Sequence, residues 1–432
     1  MHSNYRLTRL DSGLRLLTVP MPGLDSLTVL AMVGVGSRFE PAKEAGIAHF
    51  LEHMVFKGTV NYPSAMALSS AIDSVGGSYN AFTGKDYTGY YVKVAASHLE
   101  LALDVISDML LVPQLRPEDI EREKGVIVEE INMYEDEPQR KIADVYDTVV
   151  YGKTTLGSEI IGFKTTVNSL KSSHLTDFLN AWYNLGNVVL VVAGSSQVVS
   201  HPNLVQRVTK YFSKGQPRSG QGQRRFGIPP QTQTRVKLIH RPTEQAHFYL
   251  GVPGLTRQDK LRYVQTVLAT VLGGNSSARL FNEIREKRGL AYYAYASSSF
   301  YQDTGSLYAF EGVDPKRIDD AIKVTLEQFA SISGKDLTKK EVNRAKQYLT
   351  GKLTLDWEDS HAVAITYARK LVLEDKIETP DDILRHLDQV QPAGIRRLAR
   401  QIFVPSRLNL ALIGPYKEEG RFRKLVSLGS SS

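Results

Sequence analysis

The sequence contains no cysteine, and that absence excludes disulfides, thiolate nucleophiles and every thiolate-based zinc site at once. Any bound metal must therefore be held by histidine and carboxylate side chains. No apolar run is long enough to span a bilayer, so no membrane span is expected. The stretch from Met1 to Pro20 has no continuous apolar region and no small-residue cleavage site, so a secretory signal is not expected and a cytoplasmic location follows. That stretch instead alternates apolar residues around Asp11-Ser12-Gly13, the pattern of two short strands joined by a turn. Basic residues are scattered rather than gathered in a stripe. The net charge of +7 thus reads as solubility with a slight lean toward acidic partners, and no nucleic-acid partner is expected.

What is present is a soluble globular composition, 42% hydrophobic and 23% charged, on a chain of 432 residues that exceeds a single ordinary core. A stretch rich in Gln, Gly, Pro, Arg and Ser at 215–234 reads as a linker between domains at 1–214 and 235–432. The two halves repeat the order of their parts. Gly76-Gly77-Ser78-Tyr79-Asn80-Ala81-Phe82 has a counterpart in Gly289-Leu290-Ala291-Tyr292-Tyr293-Ala294-Tyr295, Leu115–Ile127 matches Leu337–Leu349 in helical pattern, and Val188–Gly194 is echoed by Leu408–Gly414. A tandem duplication explains this order. The expected fold class is α+β, with two structurally similar domains, each a mainly antiparallel sheet with helices packed on one face. The closing Gly429-Ser430-Ser431-Ser432 reads as a disordered end.

The chemistry is concentrated in Gly46 to Gly58, a helical stretch containing His49-Phe50-Leu51-Glu52-His53. Positions four apart share a helix face, so His49 and His53 can present their imidazoles to one ion while Glu52 stands beside them as a base for the bound water. The same spacing also suits two ordinary histidines on a packed helix. A third ligand is required, and Arg116-Pro117-Glu118-Asp119 opens a helix that carries Glu123 and Glu130 two turns apart on one face. Glu130 is expected as the ligand and Glu123 as a nearby acid that orients a ligand or assists the water. Glu129 lies about 100° around the helix and is the poorer candidate. The second half has Ala345 and Lys352 at the corresponding positions and no such histidine pair, so one metal ion per chain is expected.

At this point the sequence resembles the pitrilysin and insulin-degrading metallopeptidase family, and more closely its short branch containing the mitochondrial processing peptidase and its bacterial relatives. The resemblance is carried by His49–His53 with the following Met54-Val55-Phe56-Lys57-Gly58-Thr59, by Gly76–Thr83, and by Glu121–Glu130. It implies Zn2+ on His49, His53 and Glu130 with Glu52 as general base. It also implies that Asn80, Ala81 and Phe82 lie on an exposed strand edge where a peptide substrate adds as an extra strand. The aromatic and β-branched content of Ser78–Val94 suits a strand there, exposed or buried.

The resemblance extends to Leu280–Tyr292, where Arg285 and Tyr292 match a pair that hydrogen-bonds the scissile carbonyl or the developing oxyanion. Long members of the family enclose a chamber with four such domains. This chain has two, which implies a homodimer in which Arg285 and Tyr292 are supplied in trans. The resulting expectation is a zinc-dependent endopeptidase acting on peptides or unfolded segments. The alternatives are a non-catalytic family scaffold and a processing subunit active only with a different partner chain.

Overall fold

The computed structural model describes residues 4–215, 217–218, 220, 222, 227–334 and 336–428. Parts of the expected linker (Gln216, Ser219, Gln221 and 223–226) and the whole of the expected disordered end lie outside the described residues. Packing divides the chain into two units, one made of residues 1–132, 158–225 and 353–381, the other of 133–157, 226–352 and 382–432.

The first unit is built on a six-stranded sheet of β1 (Arg6–Arg9), β2 (Arg15–Met21), β3 (Ser26–Val33), β4 (Ser78–Thr83), β5 (Thr88–Ala95) and β6 (Val188–Ser195). The order across the sheet is β1-β2-β6-β3-β5-β4, and every neighbouring pair is antiparallel except β2 and β6. The turn expected around Asp11-Ser12-Gly13 joins β1 to β2. All eight residues of β6 are buried, as a central strand covered on both faces requires. Alternation along β3 sends Leu30 and Met32 to one face and Val29 and Ala31 to the other. Leu30 and Met32 pack with Val363, Ala364, Tyr367 and Leu371 of the helix Ser360–Glu374, while the helix Leu99–Leu111 also packs on β3 and β5. Polar ties pin the first of these helices at both ends. Thr28 and Ser360 share a hydrogen bond of 2.8 Å at its start, and the Arg15 guanidinium donates to the Leu371 carbonyl at 3.0 Å near its end.

The second unit repeats the plan with β7 (Arg235–His240), β8 (Ala246–Pro253), β9 (Ala291–Phe300), β10 (Gly305–Val313) and β11 (Asn409–Gly414), in the order β7-β11-β8-β10-β9. Here too one neighbouring pair, β7 and β11, is parallel. This order superimposes term by term on β2-β6-β3-β5-β4, including the position of the parallel pair and of β4 and β9 at an edge. Phe248 and Leu250 of β8 pack with Val267, Ile322 and Ile395 from the main helical layer. Ala411 and Ile413 face the other way, onto Ile142, Val145 and Val149 of the helix Pro138–Tyr151.

Each unit is therefore α+β with a mainly antiparallel sheet and its main helical layer on one face, and the second face takes one further helix. Those covering helices interleave the linear halves. Ser360–Glu374 follows the 215–234 stretch yet covers the first sheet, and Pro138–Tyr151 precedes it yet covers the second. The physical reason is that both faces of the central strands are apolar, and an uncovered second face would expose a continuous hydrophobic patch.

One buried acid gives the second unit a pH response. Glu311 on β10 is fully buried, accepts a hydrogen bond from Thr325 Oγ1 at 2.6 Å, and has its carboxyl pushed up to about 8 by burial. An acid whose folded value is raised binds its proton more tightly in the native chain than in the unfolded one. Its stabilising contribution is whole below the ordinary value of 4.5 and is lost as pH rises toward about 8. Glu311→Gln is expected to flatten that fall and to raise the melting temperature at pH 8 relative to the parent, measured by calorimetry from pH 5 to 9.

Candidate metal centre

The helix Ile47–Met54 forms because Ile47, Phe50, Leu51 and Met54 make a fully buried stripe. Its start is capped from outside, with Glu40 accepting the Gly46 N–H at 2.7 Å and the Ala48 N–H at 2.8 Å. Gly46 sits at φ +97°, and a Cβ there would come within 2.6 Å of the Ile161 carbonyl oxygen, so only glycine fits this entry. On the face left by the apolar stripe, the rings of His49 and His53 lie 4.6 Å apart, centre to centre.

The helix Pro117–Asp136 approaches this face. Ile120, Ile127 and Ile131 bury its inner side, and the same side carries Glu123 and Glu130, whereas Glu129 is exposed. Glu130 Oε2 lies 3.8 Å from His49 Nε2 and 3.6 Å from His53 Nε2. Among the described residues, His49, His53 and Glu130 form the one group of three whose ligand atoms all fall within 4.8 Å of one another. Ligands at zinc bonding distance and tetrahedral angles stand roughly 3.3–3.6 Å apart. The donor set and its spacing therefore suit a zinc ion with a small contraction.

The protonation states suit it as well. Burial, reinforced by the neighbouring His53, lowers His49 to about 3, so its imidazole is neutral, as a ligand must be. Burial raises the Glu52 carboxyl above its ordinary value, against the pull of a 2.5 Å hydrogen bond from Thr83 Oγ1 to Glu52 Oε2. A raised carboxyl is a stronger base toward water than an ordinary one. Glu123 moves the opposite way. Burial would raise it, but hydrogen bonds from His53 and Lys57 together outweigh burial and hold it below the usual carboxylate range. Its two oxygens meet His53 Nδ1 at 2.9 Å and Lys57 Nζ at 2.6 Å.

Asn80, Ala81 and Phe82 lie on β4, which pairs with β5 on one side and ends the strand order on the other. Asn80 is exposed, Phe82 half-buried and Ala81 buried, and Thr83 at the end of the same strand is the residue that reaches Glu52. Arg285 and Tyr292 belong to the second unit. Arg285 lies on a π-helical turn, Phe281–Glu286, and Tyr292 at the start of β9. The chain reverses between them at Gly289, φ +57°, with the Gly289 N–H bonded to the Arg285 carbonyl at 3.0 Å. That reversal stacks the guanidinium over both the Phe281 and Tyr292 rings at 4.8 and 5.2 Å, and leaves Tyr292 71% exposed.

Three contacts were not anticipated from sequence: the Glu40 cap, the Thr83 bond to Glu52 and the Lys57 pair with Glu123. Lys57 and Thr83 stand inside the runs singled out above, but no spacing rule says which acid either one meets.

The sequence patterns of two family domains match this chain, insulinase (peptidase family M16) at residues 17–164 and the M16 inactive domain at 169–349. An uncharacterized zinc protease of Streptomyces coelicolor is 37% identical over 96% of this chain and 90% of its own length. The uncharacterized zinc protease YmxG of Bacillus subtilis is 34% identical over 94% of this chain and 97% of its own. Among solved structures, a protease from Helicobacter pylori matches with a TM-score of 0.89 at 21% identity, covering 95% of this chain and 100% of that one. The M16 inactive-domain protein of Pseudomonas fluorescens matches with a TM-score of 0.87 at 17% identity, covering 96% and 99%. These two structures speak to the fold alone. The sequence relatives go further, because identity of this order along nearly the whole of both chains reflects descent, and the chain belongs to the insulinase family of peptidases, family M16.

Proposed function

We propose that this chain is a zinc-dependent endopeptidase that cleaves peptides or unfolded segments, with one metal site per chain. The observation that carries the reading is the convergence of His49, His53 and Glu130 beside Glu52, with Glu130 Oε2 at 3.8 and 3.6 Å from the two imidazoles. Bound there, zinc would polarise a peptide carbonyl and lower the pKa of a water molecule. Glu52, buried and held by Thr83, takes the proton from that water and returns it to the leaving amine. The outer edge of β4 pairs with an extended peptide through backbone hydrogen bonds, which gives loose side-chain selectivity and excludes folded substrates.

Arg285 and Tyr292 donate hydrogen bonds where negative charge develops on the substrate. They do so across a two-fold homodimer, each chain serving the site of the other. A partnership of this kind agrees with the exposure of Tyr292, a large aromatic residue at a strand edge. The names of the relatives support zinc and proteolysis in the same terms.

The test is cleavage of a quenched-fluorescence peptide library by the purified protein. Activity is expected to vanish with a chelator and return with zinc, and the active species is expected to sediment as a dimer. Cleavage that persists at full rate after metal removal overturns the metallopeptidase reading, and a fully active monomer overturns the trans arrangement.

A further inference from the structure

Lys57 stands outside the ligand set and the base, yet it is held more firmly than a surface lysine. Its Nζ lies 2.6 Å from Glu123 Oε2, and the Glu123 side chain is only 3% exposed. The other Glu123 oxygen lies 2.9 Å from His53 Nδ1. A carboxylate accepts hydrogen bonds, so Nδ1 carries the proton and the lone pair is left on Nε2, the nitrogen that faces Glu130 Oε2 at 3.6 Å. The Lys57 backbone is fixed as well. Its N–H donates to the Met54 carbonyl at 3.0 Å, and its carbonyl accepts from Arg116 Nη2 at 3.2 Å. Arg116 is in turn held by Asp119 at 2.6 Å, so the lysine is clamped where the helix Ile47–Met54 ends and the helix Pro117–Asp136 begins.

We infer that Lys57 is a positioning residue for the metal centre: paired with Glu123, it holds the His53 imidazole in the tautomer and orientation that a metal ligand requires. The inference rests on the metallopeptidase reading above. Two features favour it over an ordinary ion pair. The partner carboxylate is buried, so without the lysine Glu123 would be a buried charge lacking its cationic partner, free to turn away from His53. The relay also serves one ligand and not the other, since the buried Nδ1 of His49 has no hydrogen-bond partner among the described residues. His53 therefore depends on its outer contacts in a way that His49 does not. Outer contacts of this kind set metal affinity by about 10- to 100-fold.

The experiment measures zinc affinity of the full chain by competition with a chromophoric chelator, alongside circular dichroism and thermal unfolding with excess zinc. Lys57→Met keeps the aliphatic stem and removes the charge, and is expected to weaken zinc binding by about 10-fold or more with the fold retained. Lys57→Arg is expected to restore most of the loss. Glu123→Gln is expected to weaken zinc comparably, and the double variant to be no worse than the weaker single one, because the two residues act through one contact. Where Lys57→Met folds poorly, Lys57→Gln, which also removes the charge, is measured in its place, and the same outcomes decide the matter. Zinc affinity unchanged within twofold in Lys57→Met, while His53→Ala abolishes binding, overturns the positioning role and leaves the metallopeptidase reading intact. Absence of zinc binding in the parent chain overturns both.

Discussion

Replacing Glu52 with glutamine is expected to lower kcat for peptide cleavage on the order of 10³-fold while leaving zinc in place, because the variant loses the base and keeps the metal ligands. The substituted side chain retains an amide oxygen that can accept the Thr83 hydrogen bond, so it keeps its place beside His49 and His53. What it lacks is a lone pair basic enough to take a proton from water. Zinc content by elemental analysis and turnover of a quenched peptide, measured on the same preparation, separate the two effects. Unchanged turnover at full zinc occupancy rejects Glu52 as the base.

The second large effect is expected at Glu130, and its control is the adjacent residue. Glu130→Ala removes the carboxylate oxygen that faces the Nε2 atoms of both imidazoles at 3.8 and 3.6 Å, so the variant is expected to lose zinc on purification and to show only background cleavage. Glu129→Ala alters an exposed side chain one position away and is expected to stay within twofold of the parent in both zinc content and turnover. Bound zinc also stabilises the folded chain, by an amount that rises with the logarithm of its free concentration over its dissociation constant. Addition of zinc is therefore expected to raise the melting temperature of the parent and of Glu129→Ala but not of Glu130→Ala. A reversed pattern between the two glutamates would assign the carboxylate to the other face of the helix.

The candidate site was legible to the degree that it depends on helical periodicity. His49, Glu52 and His53 share a face because the backbone repeats every 3.6 residues, and the same rule put Glu123 and Glu130 on one side of their helix and Glu129 off it. Buried Ile120, Ile127 and Ile131 hold that side inward. The duplication was legible in the order of parts, and the two sheets share that order down to the placement of their single parallel pair. The pairing of Lys57 with Glu123 and of Thr83 with Glu52 was not legible, since each joins elements far apart in the chain. Nor was the exchange of covering helices. An apolar stripe says that a helix will be buried without saying on which sheet, and nothing in the residues of Ser360–Glu374 or Pro138–Tyr151 names the sheet that each one covers.

The residue types and their local spacing by themselves determined which donor groups are available: no thiolate, two imidazoles one helical turn apart, and acids on a second helix. They likewise determined that the chain is a doubled α+β fold. Tertiary structure alone decided that Glu130 meets both imidazoles, that Glu123 is turned to His53 Nδ1 and shared with Lys57, and that each sheet borrows a helix from across the linker. The division has a physical origin. Periodicity acts over a few residues and is written in the chain, whereas the meeting of distant side chains depends on which apolar faces pack together, and many segments carry faces that are chemically alike.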